Sequence, residues 1–121
     1  MLNESLDTSA VQALRESTGH DVAFVAELVR AFLDDSPAQL AALRTATASG
    51  SAADVRREAH TLKSNAATFG IVRLTQLCRD LENRASNGNL DGAEELVASI
   101  SDGLAAAHPA LEALTVVDAA P

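Results

Sequence analysis

The feature that most restricts the fold is the spacing of apolar residues, which recur every three to four positions in segments separated by Gly and Pro. This period is that of an amphipathic helix, whereas the alternation with period two that is typical of strands is not sustained anywhere in the chain. Most of the apolar residues are Leu, Val and Ala, and Trp and Tyr are absent. This composition is typical of closely packed helices. We therefore expect an all-α protein.

Helix start and stop signals divide the chain into six predicted helices joined by short turns. The strongest start is Ser36-Pro37, an N-cap residue followed by Pro at the first helical position, with Gln39 placed to complete a capping box. Pro109 is expected to kink or end the last helix because it has no N–H to donate. The predicted helices cover about 8–17, 22–34, 37–50, 51–69, 71–87 and 90–107.

Helices joined by such short turns pack against their neighbours in the chain, which favours an up-and-down antiparallel four-helix bundle. The shorter N-terminal segments would form an additional helix or helices beside it. We expect a single domain over 1–121, with a structured core of about 6–114 and fraying after Leu114. The sequence contains no internal repeat or linker that would indicate a second domain.

The composition excludes several classes of function. A net charge of −8 argues against binding to nucleic acid or to an anionic membrane through a basic surface. The scarcity of aromatic residues leaves no platforms on which bases could stack. Cys78 is the only cysteine, so no disulfide can form within the chain and a reducing compartment is expected. No apolar run approaches the roughly 18 residues of a membrane span, and we expect a cytoplasmic protein.

The predicted helix over 51–69 separates into an apolar and a polar face. At about 100° per residue, its larger apolar side chains and two alanines fall on one stripe. They are Val55, Ala59, Leu62, Ala66 and Phe69. His60 points roughly 140° away from this stripe, beside Lys63, the only lysine of the chain. The histidine is therefore expected at the surface.

The surroundings of His60 suit a reaction with an anionic group. Three basic residues and one acidic residue lie there, in a chain that is otherwise acidic; they are Arg56, Arg57, Lys63 and Glu58. This arrangement predicts a small cationic island. An exposed neutral imidazole is a competent nucleophile at physiological pH, and a cation one turn away stabilises an anionic group placed on it. From spacing alone, an ordinary solvated lysine is an equally good interpretation of Lys63.

The stretch HTLKS at 60–64, followed by small residues and a helix end at Gly70, resembles the H-x-x-K-[G/S] signature of histidine-containing phosphotransfer (HPt) domains. The likeness extends well beyond five residues, because 21–70 and 77–100 are similar to the family's pattern helix by helix. It implies a four-helix bundle that carries a phosphoryl group on one exposed histidine in a two-component phosphorelay.

The resemblance implies roles for individual residues. His60 would be phosphorylated on Nε2, Lys63 would steady the phosphoryl oxygens, and Ser64 would occupy the small position that a partner approaches closely. Family members commonly have Gly where this chain has Ser64. In some members a Gln on the following helix hydrogen-bonds the histidine, and counting through Gly70 places Glu82 there. A carboxylate at this position would orient the imidazole but repel a phosphoryl group.

The partners implied by the resemblance are response-regulator receiver domains and, as a second class, a hybrid sensor histidine kinase. A receiver would supply an aspartate, Mg²⁺ and its own cation, so this chain would need no cofactor and no metal site. It would be a phosphoryl carrier without autonomous catalysis. In agreement, the sequence contains neither a G-x-x-x-x-G-K phosphate loop nor an H-E-x-x-H helix. We expect it to be a monomer.

For docking of a partner we expect Phe24 and Leu28 on the second helix, together with Arg56 and Ala67 on the helix of His60. The apolar residues of the second helix spread over a wider arc than packing of a surface helix requires, so part of this area should be exposed. A central position of that helix in the bundle is a slightly better explanation for most of these side chains.

Two other hypotheses remain open. The bundle could be an adaptor that docks a receiver or kinase without being phosphorylated, in which case His60 would be dispensable. A metal-dependent or redox bundle enzyme is disfavoured because the required ligand spacings are absent from the sequence. The sequence does not identify the kinase, the receiver, the direction of phosphoryl flow or the regulated output, nor whether the chain is free-standing or part of a hybrid kinase.

Overall fold

The protein folds into helices alone over residues 6–115, the part of the chain that the computed structural model describes. The helices are α1 (Thr8–Ser17), α2 (Val22–Ser49), α3 (Ala52–Thr68), α4 (Val72–Ser86) and α5 (Ala93–Ala113). Helices α2 to α5 each pack against the next, and α5 closes the ring on α2, while α1 lies on α3 and α2. The predicted all-α fold with a four-helix bundle and a short N-terminal helix is confirmed.

One hydrophobic core runs through the bundle and receives side chains from every helix. Its largest fully buried members are Val29, Leu43, Val55, Leu62, Ile71, Leu74, Cys78, Leu81, Ile100 and Leu111. Aliphatic side chains of this kind interlock closely, and burial of each contributes roughly 1.5–3 kcal/mol relative to exposure. The core fixes the rotation of α3 about its axis, and this rotation decides which of its residues face solvent.

The predicted break in the middle of α2 is wrong. Instead of capping a new helix, the Ser36 hydroxyl donates a hydrogen bond to the carbonyl of Phe32, 2.5 Å away, within one continuous helix. Pro37 removes one backbone hydrogen bond from that helix, but Phe32 and Leu40 on either side of it are buried on the same face. Packing of both halves against the core thus outweighs the local stop signal. Gln39 completes no capping box, and its buried carbonyl oxygen accepts no hydrogen bond from the described residues.

The last helix also differs from the prediction. It begins at Ala93, after Gly92 in the left-handed conformation, and continues through Pro109 to Ala113. The expected end at Ala107 is wrong, because Ala107 and Leu111 lie four residues apart and are both fully buried, so the core holds this turn in place. The other predicted helices agree with the structure to within one residue at each end. Fraying was expected after Leu114. Residues from 116 on lie outside the described part of the chain, so this stays a prediction.

Gly70 joins α1 to the turn between α3 and α4. Its φ of 72° lies in the left-handed region, and a Cβ placed on it would be 2.9 Å from the backbone of Asp7 and 3.1 Å from Ala10. The amide of Asp7 donates a 2.7 Å hydrogen bond to the Gly70 carbonyl. Glycine is needed here both for its conformation and for the close approach of α1. The turn brings α4 back along α3 and so places its side chains beside those of His60 and Lys63.

Candidate functional site

Helix α3 presents His60 to solvent because its opposite face belongs to the core. Ser51 caps the start of the helix: its hydroxyl accepts a hydrogen bond from the amide of Asp54 and so satisfies one unpaired N–H of the first turn. Val55, Ala59, Leu62 and Ala66 are buried, whereas 58% of the His60 side chain is exposed. The expected orientation of the histidine is therefore observed.

The imidazole of His60 is held by a carboxylate from the neighbouring helix. Its Nδ1 lies 2.9 Å from Oε2 of Glu82 on α4. An ionised carboxylate can only accept a hydrogen bond, so Nδ1 carries the proton of the neutral ring and Nε2 carries the free electron pair. No residue in 6–115 forms a hydrogen bond with Nε2. The contact therefore selects the tautomer in which Nε2 is the nucleophile.

Lys63 contacts the other oxygen of the same carboxylate. Its Nζ lies 2.6 Å from Oε1 of Glu82, and only 24% of the Lys63 side chain and 15% of the Glu82 side chain are exposed. The two groups form a close ion pair that is largely shielded from solvent. The Lys63 ammonium is the main cause that lowers the pKa of Glu82; partial burial opposes it, and the hydrogen bond with His60 adds to it. Glu82 is therefore ionised at neutral pH.

The cationic island predicted around His60 is largely neutralised in the structure. Lys63 is paired with Glu82, and Arg57 lies 3.0 Å from Asp54 in an exposed ion pair one turn earlier on α3. Within residues 6–115, Arg56 forms no ion pair. The prediction left out Asp54 of α3, which pairs with Arg57, and Glu82 of α4, which pairs with Lys63.

Sequence reasoning did not find the ion pair between Lys63 and Glu82. It assigned Lys63 to a bound phosphoryl group and Glu82 to His60, each without the other. A usable signal was present, because once His60 is placed opposite Glu82 in an antiparallel pair of helices, Lys63 lies one turn further along and within reach of the same carboxylate.

Cys78 lies on α4 beneath this cluster. It is fully buried, and burial raises the pKa of its thiol to about 12; the charge of Lys63 lowers this pKa by a smaller amount, and the charge of Glu82 raises it. A thiol in this state carries almost no thiolate at neutral pH. Its contribution is to the core.

The residues expected to dock a partner are exposed, except for the half-buried Leu28, and they do not line one common groove. Ser64, Arg56 and Ala67 lie on the exposed face of α3, and Phe24 on α2 is 45% exposed. Leu28 is half-buried in a groove between α2 and α3 that Asn65 and Thr68 also line. Ala67 instead borders α1, next to Ala10. Their docking role stays a prediction.

The described residues contain neither a cluster of metal-binding side chains nor a membrane-spanning helix. No group of three or more His, Cys, Asp or Glu side chains in 6–115 is arranged to hold a metal ion. None of the helices in this part of the chain combines the length and hydropathy of a membrane-spanning segment.

Comparison with known proteins gives two matches to one kind of domain. The family model described as Hpt domain matches residues 27–114. The crystal structure of histidine-containing phosphotransfer protein B (HptB) from Pseudomonas aeruginosa PAO1 is similar to this chain with a TM-score of 0.73 and 25% sequence identity. The match covers 93% of this chain and 89% of that one. A search of curated proteins found no match.

Proposed function

The chain belongs to the Hpt domain family, whose members are phosphocarrier modules of two-component phosphorelays, and we propose that it carries its phosphoryl group on Nε2 of His60. In this proposal the group passes between His60 and aspartates of response-regulator receiver domains in a multistep relay. A hybrid sensor histidine kinase is the proposed source of the phosphoryl group that enters the relay.

The observation that carries the proposal is the state of the His60 ring. The ring is exposed, its Nδ1 is bound to Glu82, and its Nε2 is free of hydrogen bonds from residues 6–115. An attacking nitrogen needs an available electron pair and an open approach, and both are provided here. His108 is also exposed and lies 3.2 Å from Glu112, but there Nε2 is the contacting atom.

Transfer onto His60 needs no proton movement. The Nε2 electron pair forms a bond to the phosphorus of an aspartyl phosphate, the bond from phosphorus to the carboxyl oxygen breaks, and the aspartate leaves as a carboxylate. Lys63 then supplies positive charge one turn from His60. We propose that the receiver provides Mg²⁺ and a further cation, and that this chain acts without a cofactor and without catalysing the reaction alone.

The receiver is proposed to dock across the exposed face of α3. Ser64 would leave room for its approach, while Arg56, Ala67, Phe24 and Leu28 would contact it. Support comes from the exposed apolar surface of Phe24 and from the free charge of Arg56 in the described part of the chain. We further propose that the protein is a cytoplasmic monomer.

The proposal is tested by transfer from a receiver of the same organism that carries labelled aspartyl phosphate. The wild type, His60→Gln and the matched control His108→Gln are incubated with it and then treated with acid or alkali. Label that is acid-labile, alkali-stable, present on the wild type and His108→Gln and absent from His60→Gln supports the proposal. A wild type that binds the receiver but takes no label is instead an adaptor that only docks its partner.

A further inference from the structure

The three basic residues of α3 lie around the candidate phosphorylation site and differ in what they contact. Nζ of Lys63 lies 2.6 Å from a carboxylate oxygen of Glu82 on α4, and Arg57 lies 3.0 Å from Asp54. Arg56 is exposed, and within residues 6–115 its side chain forms neither an ion pair nor a hydrogen bond. It is therefore the basic residue of α3 whose charge no carboxylate of the described residues offsets.

Arg56 precedes His60 by four residues, so the two side chains lie on one face of α3, one helical turn apart. Residues at this spacing have Cβ atoms about 5–6 Å apart. Side chains of a helix lean toward its N-terminus, which directs the ring of His60 over the turn that contains Arg56. The long, flexible stem of the arginine can then bring its guanidinium to a group bound at the exposed end of the ring.

A phosphoryl group on Nε2 of His60 would bring negative charge to oxygens on this face. The ammonium of Lys63 is already offset by the carboxylate of Glu82, and that carboxylate repels the phosphoryl oxygens. A cation with no such partner is needed to balance them. A guanidinium suits this task because its planar fork of N–H donors matches two oxygens of one phosphoryl group, and because it stays protonated at physiological pH.

We propose that Arg56 binds the phosphoryl group carried on Nε2 of His60, donating hydrogen bonds from its guanidinium to two of the phosphoryl oxygens. This inference rests on the proposed function, and it gives Arg56 a task beyond contact with the receiver. No covalent bond forms or breaks at Arg56, and no proton moves. The contact exists only in the folded protein, because the helix holds the two residues one turn apart. It therefore stabilises the fold when His60 is phosphorylated.

The test uses phosphoramidate as phosphoryl donor, so that it depends on no partner protein. The wild type, Arg56→Gln and the matched control Arg57→Gln are phosphorylated, and the phosphohistidine is detected by ³¹P NMR. Arg57 is a suitable control because it is adjacent and exposed but is paired with Asp54. Urea unfolding of the phosphorylated and unphosphorylated forms is then followed by circular dichroism in mildly alkaline buffer, at low salt and at about 1 M salt.

At low salt, phosphorylation is expected to favour folding of the wild type about threefold to tenfold more than folding of Arg56→Gln. Arg57→Gln should behave as the wild type does, and the difference should shrink at high salt, which screens exposed charges. An equal effect of phosphorylation on the wild type and Arg56→Gln, or an equal loss in both variants, would overturn the inference and leave the proposed function standing. Absence of phosphorylation on His60 of the wild type would overturn the proposed function itself, and the inference with it.

A second measurement follows the arginine itself in the folded wild type. The protein is labelled with ¹⁵N in its arginine side chains, and the guanidinium N–H signals are compared by NMR before and after phosphorylation. The inference predicts that the signals of Arg56 shift and that their hydrogens exchange more slowly with water, while those of Arg57 stay where they were. Unchanged signals of Arg56 in the phosphorylated protein would contradict it.

Discussion

The ion pair between Lys63 and Glu82 should stabilise the fold measurably, and its contribution should depend on pH. Lys63→Met removes the ammonium and keeps most of the apolar stem. Exposed pairs contribute about 0.2–1 kcal/mol, and breaking a buried pair costs about 3–5 kcal/mol. With 24% and 15% of the two side chains exposed, this pair lies between these classes. We expect Lys63→Met to lower the free energy of unfolding by about 1–2 kcal/mol.

The sign of the pH dependence follows from the lowered pKa of Glu82. A carboxyl whose pKa is lower in the folded than in the unfolded protein stabilises the fold above its ordinary pKa. This stabilisation is lost as the pH falls through the lowered, folded-state value. The difference between the wild type and Lys63→Met should therefore be largest near neutral pH and shrink toward zero in acid.

The assay is urea unfolding followed by far-ultraviolet circular dichroism, because the chain has no Trp or Tyr to report by fluorescence. A double-mutant cycle of Lys63→Met and Glu82→Gln isolates the coupling between the two side chains. Arg57→Met is the matched control, since its pair with Asp54 is largely exposed, and it should change stability by no more than about 0.5 kcal/mol. A coupling below about 0.3 kcal/mol at neutral pH, or one that is unchanged in acid, would refute the reasoning.

Two further predictions concern the fold around the site, and both are measured by urea unfolding. Gly70→Ala should lower the free energy of unfolding by at least about 2 kcal/mol, because φ is 72° and the new Cβ would press on Asp7 and Ala10; wild-type stability would contradict this. Pro37→Ala should raise it by about 1–3 kcal/mol, since the new N–H can bond to the carbonyl of Leu33. A lower free energy of unfolding for Pro37→Ala would contradict the interpretation that Pro37 weakens α2.

The sequence predicted the segments in which local and tertiary preferences agree. Helix α3 is an example, because the cap at Ser51, the apolar stripe through Leu62 and the stop at Gly70 all indicate the same element. The exposure of His60 follows directly, since the periodicity that buries Leu62 turns the histidine outward. The fold class and the exposure of His60 could therefore be predicted from the sequence pattern, whereas its role as a phosphorylation site was implied by the resemblance to HPt domains.

Local signals failed where burial outweighed them. Pro37 and Pro109 each destabilise the helix that contains them, because Pro removes a backbone hydrogen bond. In both helices the residues that follow the proline are nevertheless kept helical by buried side chains, Leu40 after Pro37 and Leu111 after Pro109. The ion pair of Lys63 with Glu82 was missed for a related reason. It depends on how α3 and α4 are rotated against each other, which packing decides and which no single segment encodes.

The position of phosphorus on the ring tests the central claim most directly. The protein is labelled with ¹⁵N in its histidine rings, phosphorylated, and examined by NMR for coupling between ³¹P and each ring nitrogen. Because Glu82 holds the proton on Nδ1 of His60, the account predicts coupling to Nε2 of that residue. Coupling to Nδ1 of His60, or to a nitrogen of His20 or His108, would contradict it.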